Sequence, residues 1–113
     1  MSCSQPAATP DKLVSDLLLD DPDMYDLVEE FVDGLTGRLA EFRQAYQRLD
    51  WDNLTRLAHQ LKGAGGSFGY PDLSSLAATM EHAFRLHSGD EFATWIKRLE
   101  RLIAAARTGL QPA

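Results

Sequence analysis

His59 opens the run His59-Gln60-Leu61-Lys62-Gly63-Ala64-Gly65-Gly66-Ser67-Phe68-Gly69, which gathers an imidazole, an ammonium and several glycines into one short stretch. A neutral imidazole nitrogen is available as a nucleophile near pH 7, and the N–P bond it forms with a phosphoryl group is labile enough to pass the group on. Lys62, one helical turn further, supplies positive charge where a phosphoryl group of about −2 would sit on the ring. Helix propensity works against the glycines: Gly63, Gly65 and Gly66 together cost on the order of 2–3 kcal/mol relative to alanines in a helix interior. Bare backbone beside an exposed nucleophile has a use that offsets this cost, because it lets the surface of another protein approach closely.

These residues can act together only if a helix holds them on one face. Leu54, Leu57, Ala58, Leu61, Ala64 and Phe68 recur at helical spacing. At about 100° per residue, with Leu54 at zero, their centre falls near roughly 330° and His59 near about 140°, on the outer face. Thr55, Lys62, Gly63 and Gly66 lie within about 60° of His59 on the same wheel, so they border the imidazole where a partner would dock. Asp50 or Asp52 caps the start of this helix, and Gly69-Tyr70-Pro71 stops it.

The flanking segments carry further start signals and stripes. Thr9-Pro10-Asp11, followed by Leu13, Val14, Leu17 and Leu18, predicts a short helix over about residues 10–19. Asp21-Pro22-Asp23 begins a second, on which Leu27, Val28, Phe31, Leu35, Leu39, Phe42, Tyr46 and Leu49 hold the repeat to about residue 48 as one long helix, with any bend at Gly34 and Gly37. Beyond the His59 helix, Leu73, Leu76, Ala77, Met80, Phe84 and His87 mark the inner side of the next. Ser88-Gly89-Asp90 reads as a turn and cap before a last stripe of Phe92, Trp95, Ile96, Leu99, Leu102, Ile103 and Ala106. No segment alternates with period two over a strand's length. The expected fold is all-α: an antiparallel up-and-down four-helix bundle with a short extra N-terminal helix, spanning residues 10–108 between a flexible tail (1–9) and a frayed end (109–113).

With 113 residues, 44% hydrophobic and 25% charged, the chain has material for one core. A net charge of −6 and a pI near 4.9 argue against binding the phosphate backbone of a nucleic acid. No apolar run approaches the roughly 20 residues that span a bilayer, and MSCSQPAATP lacks the charged and apolar regions of a signal peptide, so the cytoplasm is expected. Cys3 alone builds neither an intramolecular disulfide nor a thiolate cluster. The stretch GAGGSFG lacks the terminal GK[ST] of a phosphate-binding loop and does not fit GxGxxG. No Glu-x-x-His is present to build a di-iron site, and His82 and His87, five apart, fall on different faces. Neither metal nor cofactor is expected on this chain. The aromatics Phe31, Phe42, Phe68, Phe84, Phe92 and Trp95 sit at core spacing, and Trp51 is open to either reading.

The run Ala58-His59-Gln60-Leu61-Lys62-Gly63 with Gly69 closely resembles the signature of the histidine-containing phosphotransfer (HPt) family: a phosphoaccepting histidine followed by leucine, lysine and glycine at the second, third and fourth positions and by glycine at the tenth. The resemblance extends from about Asp21 to Arg85. It implies a four-helix bundle with His59 exposed midway along one helix, and phosphoryl exchange with response-regulator receiver domains, a hybrid sensor histidine kinase being a further partner. In this family a Gln or Glu, 22 residues after the histidine, hydrogen-bonds the other imidazole nitrogen. That position is Glu81, and the wheel puts it about 90° from the centre of its helix's apolar stripe, where a carboxylate can reach the neighbouring helix. Arg85, four residues on, is its competing partner. The resemblance further implies a monomeric phosphoryl carrier without its own kinase or ATP-binding domain, with Mg2+ held by the receiver. Two other readings stand beside it: the phosphoacceptor domain of a chemotaxis-type histidine kinase, and a non-catalytic helical adapter that binds receivers. An adapter that had lost the chemistry would be expected to lack His59 or Lys62, and both are present.

Overall fold

Each apolar stripe needs a neighbour to cover it, and here only helices supply the cover. The computed structural model describes residues 11–111, and every regular element among them is helical. These are α1 (Asp16–Asp20), a 3-10 turn (Pro22–Met24), α2 (Tyr25–Asp33), α3 (Leu35–Gln47), α4 (Trp51–Ser67), α5 (Pro71–Arg85) and α6 (Phe92–Leu110). One core runs through them: Leu54, Leu57, Ala58 and Leu61 of α4, Leu73, Ala77, Met80 and Phe84 of α5, and Leu99, Leu102 and Ala106 of α6 are buried together with Val28, Val32, Leu35 and Phe42. All seven residues of the last predicted stripe are in it.

The tightest pairing is between α4 and α5. Three contacts fix their register: His59 faces Glu81, the Ser74 hydroxyl donates to the Lys62 carbonyl at 2.9 Å, and Gly65 packs on Leu73. Residue numbers rise along one helix as they fall along the other, so the two run antiparallel. Gly65 permits this approach, since a Cβ there would lie 3.1 Å from both the Leu73 Cβ and the Ser74 backbone nitrogen.

Three helix ends share one solution. In each, a left-handed residue two places past the helix donates its N–H three back and its successor donates five back, so two orphan carbonyls are satisfied. Leu49 (φ 51) ends α3, Gly69 (φ 83) ends α4 and His87 (φ 56) follows α5. His87 is thus exposed beyond the helix rather than on its inner side as expected, and its ring stacks on Trp51 at 5.6 Å. Trp51 is half-buried and also meets Tyr46 edge-on, which resolves its role as packing.

Other expectations need correction. The first helix starts at Asp16, not near residue 10: the Ser15 hydroxyl accepts from Leu18 N–H as its cap, and Leu13 N–H is committed to the Ala105 carbonyl of α6 at 2.9 Å, which holds the preceding segment out of a helix. The Thr9-Pro10 start signal, Cys3 and the expected 1–9 tail lie outside the described residues. The long second helix is divided at Gly34, whose N–H is shared between the carbonyls of Glu30 and Phe31, although Arg38 N–H returns to the Gly34 carbonyl and carries the helical path onward. Leu27 and Leu49 are about half exposed and leave the stripe. Asp50, not Asp52, caps α4 by accepting from Asn53 N–H, and α6 begins after Glu91 with no side-chain cap, so Asp90 does not serve there.

Gly69 joins the N-terminal segment to the α4–α5 turn. Its carbonyl accepts from Asp16 N–H at 2.8 Å, the Ser15 hydroxyl donates to the Phe68 carbonyl at 2.6 Å, and a Cβ on Gly69 would collide with the backbone of Asp16 and Leu17. Gly69→Ala is therefore expected to destabilise the chain by at least about 1–2 kcal/mol from backbone strain alone, and to release α1. Urea unfolding measures the first effect, and faster amide exchange at residues 16–21 the second.

Candidate functional site

The side chain of His59 leaves the outer face of α4 and is 65% exposed, yet its Nδ1 lies 3.0 Å from Oε2 of Glu81, whose side chain is only 5% exposed. α4 and α5 each contribute one half of this contact, and the register described above brings them level. With Nδ1 held by a carboxylate, the ring carries its proton there and keeps the Nε2 lone pair outward. The same carboxylate takes Lys62 Nζ on Oε1 at 2.8 Å and Arg85 on Oε2 at 2.7 Å. Both partners weighed for Glu81 are thus engaged at once, and Lys62 is a third.

Burial of a carboxylate favours its neutral form, so the outcome depends on which effect is larger. The hydrogen bond from Lys62 is the dominant influence; burial opposes it, and the hydrogen bond to His59 and the charges of Lys62 and Arg85 add to it, so that the Glu81 pKa is held below its ordinary value of 4.5. Glu81 is therefore an anion at neutral pH. One anion faces two permanent cations, which leaves net positive charge beside the imidazole.

The glycines divide by position. A Cβ on Gly63 would meet nothing within 4 Å, and one on Gly66 only the Ser74 hydroxyl at 3.7 Å, so both leave open backbone near His59. Gly65 faces the opposite way and serves the α4–α5 contact. The signal for that was in the sequence: on the wheel it falls near about 20°, inside the apolar stripe. Thr55 is half-buried with its hydroxyl donating back to the Trp51 carbonyl at 2.8 Å. Arg85 is the residue that sequence reasoning left outside the site, although its place one turn after Glu81 marked it. Among the described residues no group of three or more His, Cys, Asp or Glu side chains could hold a metal ion, and no helix is long and apolar enough to cross a membrane.

The class of this all-helical fold, which presents an imidazole backed by a buried carboxylate, comes from the family comparison. The model of the Hpt domain matches residues 26–109, well over half of the chain, and the chain belongs to the Hpt domain family. Members are phosphocarriers of histidine phosphotransfer in phosphorelays, where they interact with receiver domains. Neither the curated proteins nor the solved structures gave a match.

Two predictions come from this geometry. Gly63→Ala is expected to stabilise the chain by about 0.5–1 kcal/mol, since helix propensity acts there unopposed, whereas Gly65→Val should destabilise it by about 1–3 kcal/mol through overpacking against Leu73; urea titrations of both variants check the opposite signs. The second concerns acid. Because the folded-state pKa of Glu81 lies below its unfolded value, the stability it contributes is complete above the ordinary carboxylate range and is withdrawn as pH falls below 4.5 through the folded value. The stability difference between the wild-type chain and Glu81→Gln should accordingly shrink as pH is lowered through that window, measured by denaturant unfolding at a series of pH values.

Proposed function

We propose that His59 is the phosphoacceptor of this domain and that it takes a phosphoryl group from a receiver aspartate and returns it to the aspartate of another receiver. The observation that carries the proposal is the pairing of a largely exposed ring with a buried carboxylate at 3.0 Å on Nδ1. In the forward step the Nε2 lone pair attacks phosphorus, the bond between phosphorus and the aspartyl oxygen breaks, and the aspartate leaves as a carboxylate. The ring becomes cationic as Nε2 is phosphorylated, and Glu81 stabilises that charge through the Nδ1 proton, which stays in place. Lys62 and Arg85 lie on the same carboxylate, so their positive charge is already oriented when the phosphoryl group arrives and needs little reorganisation. Return transfer is the same sequence reversed.

The partner receiver supplies the aspartate and the Mg2+ bound in its acidic site. Gly63, Gly66 and the Thr55 edge form the surface on which it docks, with open backbone at both glycines supporting close approach. A hybrid sensor kinase is the upstream source of phosphate. The finer architecture belongs to the same proposal: α2 and α3 together, α4, α5 and α6 form an up-and-down four-helix bundle with α1 as the extra N-terminal helix, acting as a monomer in the cytoplasm. Side-by-side burial of these four stripes in one core supports it.

His59→Gln is expected to abolish acid-labile phosphate uptake from a phosphorylated receiver while moving stability by no more than about 0.5 kcal/mol, because the side chain is exposed. Lys62→Ala should slow uptake without abolishing it. Radiolabelled transfer and thermal melts test both, and phosphate uptake by His59→Gln would overturn the assignment.

A further inference from the structure

Beside the His59–Glu81 contact lies a shallow, mainly polar cleft lined by Lys62, Ala78, Glu81, His82 and Arg85. Residues 78, 82 and 85 share one outward face of α5 at the spacing of successive turns, next to the inward-pointing Glu81. Ala78 keeps one end of the cleft open, having only a methyl group. Lys62 and Arg85 each already give a donor to the Glu81 carboxylate. His82 is exposed and takes part in no hydrogen bond or ion pair among the described residues, so its ring is the one uncommitted polar group of the lining.

We infer that His82 is a further phosphoryl-contacting residue, whose ring N–H donates to an oxygen of the phosphoryl group held on His59. This rests on the phosphoacceptor reading of His59. A phosphoryl group of charge about −2 brings three acceptor oxygens, and the two cations of the site can turn towards them only with donors not already given to Glu81. An imidazole donates in either protonation state, and it approaches from the α5 side of the cleft, opposite the helix that carries the phosphoryl group. Its role is to hold the phosphorylated state rather than to make or break the N–P bond.

Phosphoramidate, a small donor whose P–N bond breaks as the Nε2–P bond forms and ammonia leaves, would phosphorylate the chain without any partner. The His59 phosphoryl signal is identified in 31P NMR by its loss in His59→Gln, and its half-life is followed after removal of the donor. His82→Ala is expected to shorten that half-life by about threefold to tenfold, the effect of one charge-assisted hydrogen bond, and His82→Arg to restore it at least to the wild-type value, with unchanged thermal melts. Equal half-lives in wild type, His82→Ala and His82→Arg would overturn the role of His82 and leave His59 as phosphoacceptor. A longer half-life in His82→Ala would overturn it as well. Absence of a His59 signal in the wild-type chain would instead overturn the underlying reading.

Discussion

A carboxylate taken out of water must be matched by donors, and the match here determines both where the helices sit and what the imidazole can do. Glu81 projects from α5 into the seam with α4 and is satisfied from both sides, by His59 and Lys62 across the seam and by Arg85 on its own helix. Three partners share the compensation of this charge, and each is itself more than a third exposed, so solvent screens the loss of any single one. The ring orientation of His59 is therefore not a separate device added to the bundle. It follows from the register of α4 on α5, and that register is fixed in turn by the same side chain. Lys62 belongs to both systems, since its ammonium meets Glu81 while its carbonyl accepts the Ser74 hydroxyl.

The same seam explains why glycines so close in sequence have different consequences. Seventeen residues of α4 must offer an apolar side to the core, a smooth side to α5 and, under the function proposed here, a bare side to a docking protein. Gly65 serves the second of these and Gly63 the third, and the helix tolerates both only because burial of Leu54, Leu57, Ala58 and Leu61 outweighs their poor propensity. Gly69 answers a different demand, a left-handed turn with no room for a Cβ against α1. A motif that reads as a single glycine-rich feature thus breaks into three structural reasons.

Periodicity made most of this legible. The apolar stripes of α4, α5 and α6 are local patterns, and each closed on the core in the register that its spacing gave. The outward placement of His59 was legible from the helix wheel, whereas Glu81 was named as its neighbour by the resemblance to the HPt family, the wheel placing it only at the edge of its own helix's stripe. What escaped were decisions made between distant segments. Nothing near Leu13 announces that Ala105 will take its N–H, so the start of α1 was placed too early. Leu27 was read into the inner stripe, and α2 and α3 were read as one helix; Gly34 was marked as a place to bend, but propensity alone does not say whether a helix divides there. Arg85 was counted as a rival to His59 for Glu81, since a sequence offers partners one pair at a time, whereas a carboxylate with two oxygens accepts several donors at once.

The net charge of −6 and the local charge of the site carry opposite signs, and the two are compatible because they act over different ranges. Between Lys12 and Arg38 the sequence has no lysine or arginine, and Asp16, Asp20, Asp21, Asp23, Asp26, Glu29, Glu30 and Asp33 lie exposed on α1, the 3-10 turn and α2. None of these acids pairs with His59, Lys62, Glu81 or Arg85. At physiological ionic strength exposed charges are screened over about 8 Å, so the influence of this acidic segment is confined to its own neighbourhood. A group held on His59 instead meets the cations within contact range of Glu81. Overall acidity thus does not make the imidazole a poor acceptor for a single phosphoryl group, because the carboxylate nearest to it is already more than neutralised.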